Sequence, residues 1–282
     1  MDTFSEKTAV ITGAASGIGF AMAERFAREG MRIVLADVER AALDKAVKRI
    51  RAPGAQAIGV TMDVAKADDV AALADRARSE FGGIHIACNN AGIFTGGLLW
   101  EESLADYHWS MDVNIWGVIH GIRTFIPIML EQDTDCHLVN TASMAALTAM
   151  PYAGIYHMTK HAVLALSESL FHELAFITDK VKVSVLCPEL VKTGIASCDR
   201  NRPAVYTKPG DVIETDGRQL VMESIREGVA GGIDPSVMAE RVVAAIRSGA
   251  FYILSEDGWR DCAYQRMDDI REGRNPVLAP PV

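Results

Sequence analysis

Thr8-Ala-Val-Ile-Thr12 runs straight into Gly13-Ala-Ala-Ser16-Gly17-Ile18-Gly19, and Phe20, Ala21, Ala23, Phe26 and Ala27 then recur at helical spacing up to Gly30. A β-rich run, a glycine turn and an amphipathic helix make one strand–turn–helix unit. In that context the glycines read as a phosphate cradle. Gly13 permits the tight turn. Gly17 and Gly19 let backbone approach a pyrophosphate and let helix meet strand, with the helix N-terminus facing the negative charge. Ser16 and Ile18 complete the turn. The spacing is G-x-x-x-G-x-G rather than the commoner G-x-G-x-x-G, and a glycine turn without a ligand is the bland alternative.

Met31-Arg-Ile-Val-Leu-Ala-Asp37 is a second apolar strand, ending on a carboxylate. Asp37 lies about twenty residues beyond the glycines, where an acidic side chain binds the adenosine ribose hydroxyls of a dinucleotide and repels a 2′-phosphate. Val38 and Glu39 add no positive charge, and Ser16 stands where a basic residue would favour NADP. The reading is therefore NAD, with NADP disfavoured.

The alternation continues. A helix covers Ala41 to Arg51, a third strand 55–62 ends in Asp63-Val64, and a helix covers 66–80. A fourth strand, 82–88, delivers Asn89-Asn90-Ala91-Gly92. A long helix follows from Ser103 to Leu130, then a fifth strand around 137–140, a helix over 155–178 and a sixth strand over 181–186. A helix over 236–246 and a strand over 251–254 close the pattern. About seven strands joined through helices predict an α/β fold: a single Rossmann-like domain, a doubly wound parallel sheet with helices on both faces. Gly13, Asp37, Asp63 and Asn90 all fall at the C-terminal strand ends, the edge where such sheets bind ligands. Asp63 and Val64 form a small pair suited to lie against an adenine.

Past the fifth strand the chain carries Asn140-Thr-Ala-Ser143 and, thirteen residues after Ser143, Tyr156-His-Met-Thr-Lys160. Tyr156 and Lys160 are one helical turn apart and leave the same face. A fixed cation beside a phenol lowers its pKa and makes it a proton donor and acceptor near neutral pH. The Ser143 hydroxyl could hold the oxygen whose proton Tyr156 handles. Alone, Tyr-x-x-x-Lys is more often a surface pair; beside a dinucleotide site it suits proton movement coupled to hydride movement. Asn114 is a lone amide in the apolar 103–130 helix, satisfied by a neighbouring carbonyl or a buried water, and that water could also be part of a proton path from Lys160 to solvent.

Residues 194–234 are irregular, punctuated by Pro209-Gly210 and Gly231-Gly232, with a helix between. A loop this long over the ligand edge is expected to be a substrate lid. The tail, 257–282, is charged, weakly periodic and ends in Pro280-Pro281; it is expected to be partly disordered or to pack on a neighbour. The substrate cavity should be apolar, drawing on Phe94 to Leu99, Met144, Leu147 and Met150.

The chain has 282 residues, a net charge of −9, 49% hydrophobic and 23% charged residues. That balance suits a soluble globular protein and gives nucleic acid or an anionic membrane no basic patch. No apolar run reaches the ~18 residues of a membrane span, so no transmembrane helix is expected. Five cysteines without a C-x-x-C pair suggest a reducing cytoplasm. The seven histidines show no metal spacing, and no metal is expected. The 155–178 helix is apolar nearly all round and needs cover on two sides, so a homodimer or homotetramer is expected.

Taken in order, Thr12-Gly13-x-x-x-Gly17-Ile18-Gly19, Asp63-Val64, Asn89-Asn90-Ala91-Gly92, Asn114, Ser143, Tyr156-x-x-x-Lys160 and Pro188 with Thr193 resemble the short-chain dehydrogenase/reductase family over roughly residues 5–255. The resemblance implies that Tyr156 is the catalytic acid/base. It implies that Lys160 lowers the Tyr156 pKa and binds the nicotinamide ribose, that Ser143 orients the substrate oxygen and that Asn114 holds a relay water. Val191 and Thr193 would fix the carboxamide. The family usually has Pro-Gly after the sixth strand; here Pro188-Glu189 puts a side chain beside the nicotinamide. Glu189 either shapes the substrate pocket with Met144, Met150 and Ser143 or points to solvent, and solvent is the expectation.

The loop and tail also look similar to dehydrogenases of bulky secondary alcohols, including the aryl-alcohol type acting on lignin-derived ethers. The function expected is an NAD-dependent oxidoreductase interconverting a bulky apolar or aromatic secondary alcohol and its ketone. A 3-oxoacyl-thioester reductase is the in-class rival, and a non-catalytic dinucleotide-binding sensor or scaffold the rival from another class.

Overall fold

The structure, a computed structural model, describes residues 1, 3–208, 213–254 and 257–278. The expected turn at Pro209-Gly210 and the terminal Pro280-Pro281 lie outside them. Seven strands form one sheet in the order β3-β2-β1-β4-β5-β6-β7: β1 Thr8–Thr12, β2 Arg32–Asp37, β3 Ala57–Thr61, β4 Ile86–Asn89, β5 Cys136–Thr141, β6 Val181–Cys187 and β7 Tyr252–Leu254. Every pairing is parallel, with Ile11 beside Leu35 on one side and Cys88 on the other. The order reverses direction between β1 and β4, and that switch point opens the crevice.

The alternation of side chains decides what covers each face. Ala9, Ile11, Ile33 and Leu35 pack against α1 (Gly17–Arg28), α2 (Arg40–Arg51) and α8 (Pro235–Ser248), through Phe26, Leu43, Ile50 and Val242. Val10, Val34 and Ala36 point the other way, to α3 (Ala67–Phe81), α5 (Gly117–Gln132) and α6 (Gly154–Ile177), through Leu73, Phe125, Met129 and Leu170. Both faces are covered, which is why the strands read as near-continuous apolar runs.

The long helix expected over 103–130 is not regular. It consists of α4 (Leu104–Met111), a π-helical turn at Asp112–Trp116 and then α5. As one stretch, Leu104–Gln132 is long and apolar enough by composition to cross a membrane. Its apolar side is accounted for here by the core, since Phe125, Ile126 and Met129 are buried under the sheet. The tail differs from expectation as well. Asp257–Glu272 is a helix, α9, whose Trp259 packs against the cluster of Val185 and Cys187. Residues 194–234 hold two short 3-10 turns, Ile195–Asn201 and Ala204–Tyr206, and α7 (Asp216–Gly231).

Candidate active site

A cavity of about 870 Å³ runs along the C-terminal sheet edge, from Asp37 and Asp63 at one end to Ser143 and Tyr156 at the other. Its floor begins with the glycine turn. Gly13 and Gly17 have φ of 64° and 55°, a conformation that side chains resist. A Cβ on Gly19 would run into the Gly13 carbonyl oxygen and lie 2.6 Å from Asn90 Nδ2. Gly19 therefore lets α1 meet β1 from behind the wall, while Gly13, Ser16, Gly17 and Ile18 line the cavity. Ser16 is the N-cap of α1 but makes no side-chain cap, so the first-turn N–H groups remain available to an anion.

Asp37 is held rigidly. One carboxylate oxygen accepts from Ala15 N and the other from Glu39 N, both at 2.9 Å. Asp63 accepts from Ala65 N at 3.0 Å, while its own N–H goes to Asp69; the buried Val64 follows it in the wall. Asn90 stitches three strand ends together: its N–H donates to Thr12 Oγ1 (2.9 Å), its Nδ2 to Thr12 O (3.0 Å), and its Oδ1 accepts from Thr141 Oγ1 (3.3 Å). Ala91 N also donates to Thr12 Oγ1, at 3.1 Å. Thr12 heads the glycine motif in the sequence but was given no role there, although a hydroxyl just before a glycine turn is a usable signal. Ala91 and Gly92 line the cavity, as do Pro188, Val191 and Thr193 across it. These residues form an elongated groove with uncapped helix N–H groups near its middle and an oriented carboxylate at its end, which fits a dinucleotide.

At the other end, Ser143 opens a 3-10 turn after β5. Its Oγ accepts from Ala145 N at 3.1 Å and donates to Pro188 O at 3.4 Å. Tyr156 and Lys160 share one face of α6. The Tyr156 ring packs on Phe94, with centroids 5.1 Å apart. Lys160 Nζ donates to Thr141 O at 3.0 Å and sits 5.5 Å from the Tyr156 ring centroid.

The expected lowering of the Tyr156 pKa is not the balance found. Burial pushes the hydroxyl up to about 12, against a pull downward from the Ser143 hydrogen bond. Burial likewise brings Lys160 down to about 8. The ammonium is turned to a carbonyl rather than to the phenol oxygen, so desolvation outweighs attraction and both groups shift towards their neutral forms.

Asn114 sits in the π-turn, buried. Its Oδ1 accepts from Ile93 N at 2.9 Å, and its Nδ2 donates to Ile93 O at 3.0 Å and to Thr159 Oγ1 at 3.1 Å. Thr159 in turn donates to Tyr156 O at 2.8 Å. A chain of bonds thus joins the π-turn to the backbone of Tyr156, behind the cavity wall. Neighbouring carbonyl and hydroxyl groups satisfy the amide.

The apolar part of the wall is only partly the one expected. Met144 and Met150 line it, with Phe94, Ile195, Val221 and Ile225. Leu147 packs into the core behind Met144, Leu98 is absent from the wall, and Leu99 is 52% exposed. Glu189 corrects another expectation. It does not point to solvent: its side chain is 17% exposed, lies 3.7 Å from Arg241 Nη1 and forms part of the wall. Trp259 of α9 lines the cavity too, a contribution that nothing in the charged tail announced.

The cover over this space is fastened on two sides. Towards α4, Arg202 pairs with Asp106 at 2.7 Å and Arg218 reaches Asp106 and Glu102 at 3.4 Å, all deeply buried. Tyr206 donates to Asp112 at 2.5 Å. Burial pushes Glu102 up to about 7, opposed by the Arg218 charge. Towards β2, Arg200 Nη2 and Asn201 Nδ2 donate to Glu39 Oε1 at 2.6 and 2.8 Å.

Residues 7–204 match the family model of the short chain dehydrogenase. A crystal structure of a short chain dehydrogenase/reductase from Burkholderia phymatum, in complex with NAD, superposes with a TM-score of 0.97 at 42% identity, covering 100% of both chains. A 1-deoxy-11-beta-hydroxypentalenate dehydrogenase of Streptomyces exfoliatus is 36% identical over 98% of this chain and 91% of its own. A C alpha-dehydrogenase of a Sphingobium species is 30% identical over 100% of this chain and 90% of its own.

Proposed function

The chain belongs to the short-chain dehydrogenase/reductase family, and from that premise we propose that it is an NAD-dependent oxidoreductase interconverting a bulky apolar or aromatic secondary alcohol and its ketone. One observation carries the reading: Tyr156, Ser143 and the buried Lys160 meet at the end of the same cavity whose other end is Asp37. A nicotinamide held along that groove would take the hydride from the alcohol carbon on oxidation and return it on reduction. On oxidation Tyr156 acts as the phenolate, which takes up the alcohol's hydroxyl proton; on reduction the neutral phenol gives its proton to the new alkoxide.

Ser143 Oγ holds the reacting oxygen against Tyr156. The Lys160 ammonium, held to Thr141 O, offers its remaining donors to a ribose. Asn114 and Thr159 fix the turn of α6 that aims Tyr156, and Val191 and Thr193 hold the carboxamide. Asp37, with both oxygens already oriented, takes the adenosine ribose hydroxyls and disfavours a 2′-phosphate. Asp63 and Val64 flank the adenine.

Phe94, Met144, Met150, Ile195, Val221 and Ile225 support an apolar substrate, and Glu189 supplies a polar end. Residues 194–234 act as the lid. Phe176 is 91% and Ile177 67% exposed at the end of α6, with Trp116 at 46%, which supports a homodimer or homotetramer. Five free cysteines, four of them buried, support the cytoplasm as its compartment.

The test is reduction of nicotinamide by the purified protein across a panel of secondary alcohols, with NAD and NADP in parallel. Turnover with NAD and aryl or alicyclic alcohols is the expected result. Turnover confined to NADP and 3-oxoacyl thioesters would overturn it.

A further inference from the structure

Glu39 and Arg200 stand 161 residues apart in sequence and meet at the end of the cavity that holds Asp37. Glu39 Oε1 accepts from Arg200 Nε at 3.1 Å and Nη2 at 2.6 Å, and from Asn201 Nδ2 at 2.8 Å. The third guanidinium nitrogen, Nη1, is bound within the 3-10 turn, to Gly194 O at 3.1 Å and to Ser197 O at 2.7 Å. That anchorage points the Nε and Nη2 donors, one edge of the fork, at the β2–α2 junction. Asp37, Val38, Glu39, Arg200 and Asn201 all belong to the same wall. An anchored arginine fork held at Glu39, two residues beyond Asp37, is a phosphate receptor in all but one respect: the Glu39 carboxylate already fills it.

We propose that Glu39 is a cofactor-specificity residue which masks Arg200, and that the covered fork is a latent site for a 2′-phosphate. The inference rests on the reading that a dinucleotide binds with its adenosine ribose at Asp37. Asp37 excludes the phosphate by like charge at the ribose itself. Glu39 excludes it a second way, by occupying the cation that would neutralise it. The same pair ties residues 195–201 to the β2–α2 junction, and Arg200 becomes a phosphate-binding residue only when Glu39 is removed. Because Asp37 remains, unmasking narrows the preference for NADH over NADPH and does not reverse it.

Affinities for NADH and NADPH, read from the nicotinamide fluorescence of each reduced nucleotide, test this in the wild-type chain, E39Q, E39A and E39Q/R200Q. NADPH should bind E39Q and E39A about tenfold or more tightly than wild type, while NADH changes by less than about threefold, the gain being that of a charge-assisted pair. The gain should vanish in E39Q/R200Q, an outcome that a loosening of the loop alone would not produce. Retained NADH binding with no gain for NADPH would overturn the inference and leave the dinucleotide reading standing. So would a gain that survives loss of Arg200. Loss of NADH affinity in both Glu39 variants would assign Glu39 to NAD binding directly and also overturn it. A wild-type chain that binds neither nucleotide would overturn the reading beneath, and the inference with it.

Discussion

The floor and the cover of the cavity are built by different means. On the floor, Asp37, Asn90 and Thr12 are locked mostly by bonds to backbone groups around adjoining strand ends, at 2.9 to 3.5 Å, with a side-chain link from Thr141 to Asn90 at 3.3 Å. In the cover, Arg200, Arg202, Arg218 and Tyr206 reach acidic side chains on elements far away in sequence. A floor made from backbone cannot move without breaking the sheet. A cover made from side-chain pairs can change partners. Nucleotide binding then falls mainly to the rigid part and substrate selection to the Arg202, Arg218 and Tyr206 side of the cover, with Arg200 linking the cover to the nucleotide end through Glu39.

The contrast can be broken most decisively at the point where floor and cover share a reaction. Tyr156→Phe keeps the ring against Phe94 and removes only the hydroxyl. Turnover should fall on the order of a thousandfold, with NADH affinity within threefold of wild type by fluorescence titration. Equal turnover would remove Tyr156 from the mechanism.

Asp106→Asn tests the cover. It leaves Arg202 and Arg218 facing a neutral amide in a buried place, and stability in urea should drop by roughly 3 kcal/mol. The KM for alcohol should rise while the Kd of NADH stays near its wild-type value. A parallel loss of NADH affinity would show that cover and floor are one unit.

Gly19→Ala tests the floor. The added methyl meets the Gly13 carbonyl oxygen and Asn90, which should cost about 2 kcal/mol and weaken NADH binding. At saturating NAD the KM for alcohol should be unchanged. Those two variants should therefore give opposite patterns.

The smallest effect is a pH dependence. The folded-state pKa of Glu102 is raised, to about 7, so its contribution to stability is fully present below the ordinary carboxylate pKa near 4.5 and lost as pH rises through 7. Glu102→Gln should melt like wild type at pH 4 and be more stable than it at pH 8, by on the order of 1 kcal/mol. Coincident melting curves at pH 8 would mean that Arg218 fully compensates the charge.

The same division explains what could be read in advance. The strands, the order of helices and the floor residues were legible because each lies within a few residues of a strand end, and the alternation of strand and helix fixes where such ends gather. Glu189 was misread because its partner, Arg241, stands on α8, and no local pattern announces that meeting. Arg200 is 161 residues from Glu39. The Lys160–Tyr156 spacing was legible, but the balance between attraction and desolvation depends on where the ammonium turns, and it turns to Thr141. Trp259 entered the wall from a helix whose sequence looked like a charged, weakly periodic tail.

The π-turn at Asp112–Trp116 carries a further consequence, one of phase. A π-turn is one extra residue accommodated in a helix, and each α-helical residue advances the direction of side chains by about 100°. Upstream, α4 holds out Asp106 to the cover; downstream, α5 presses Phe125 and Met129 into the sheet. The spare residue sets the angle between those two duties and brings Asn114 round to Ile93 and Thr159. Deleting any one residue of that turn would leave composition and hydropathy almost untouched. It would put the two halves of the helix out of step, like a screw cut with one thread missing, and the chain could satisfy its core or its cover but not both.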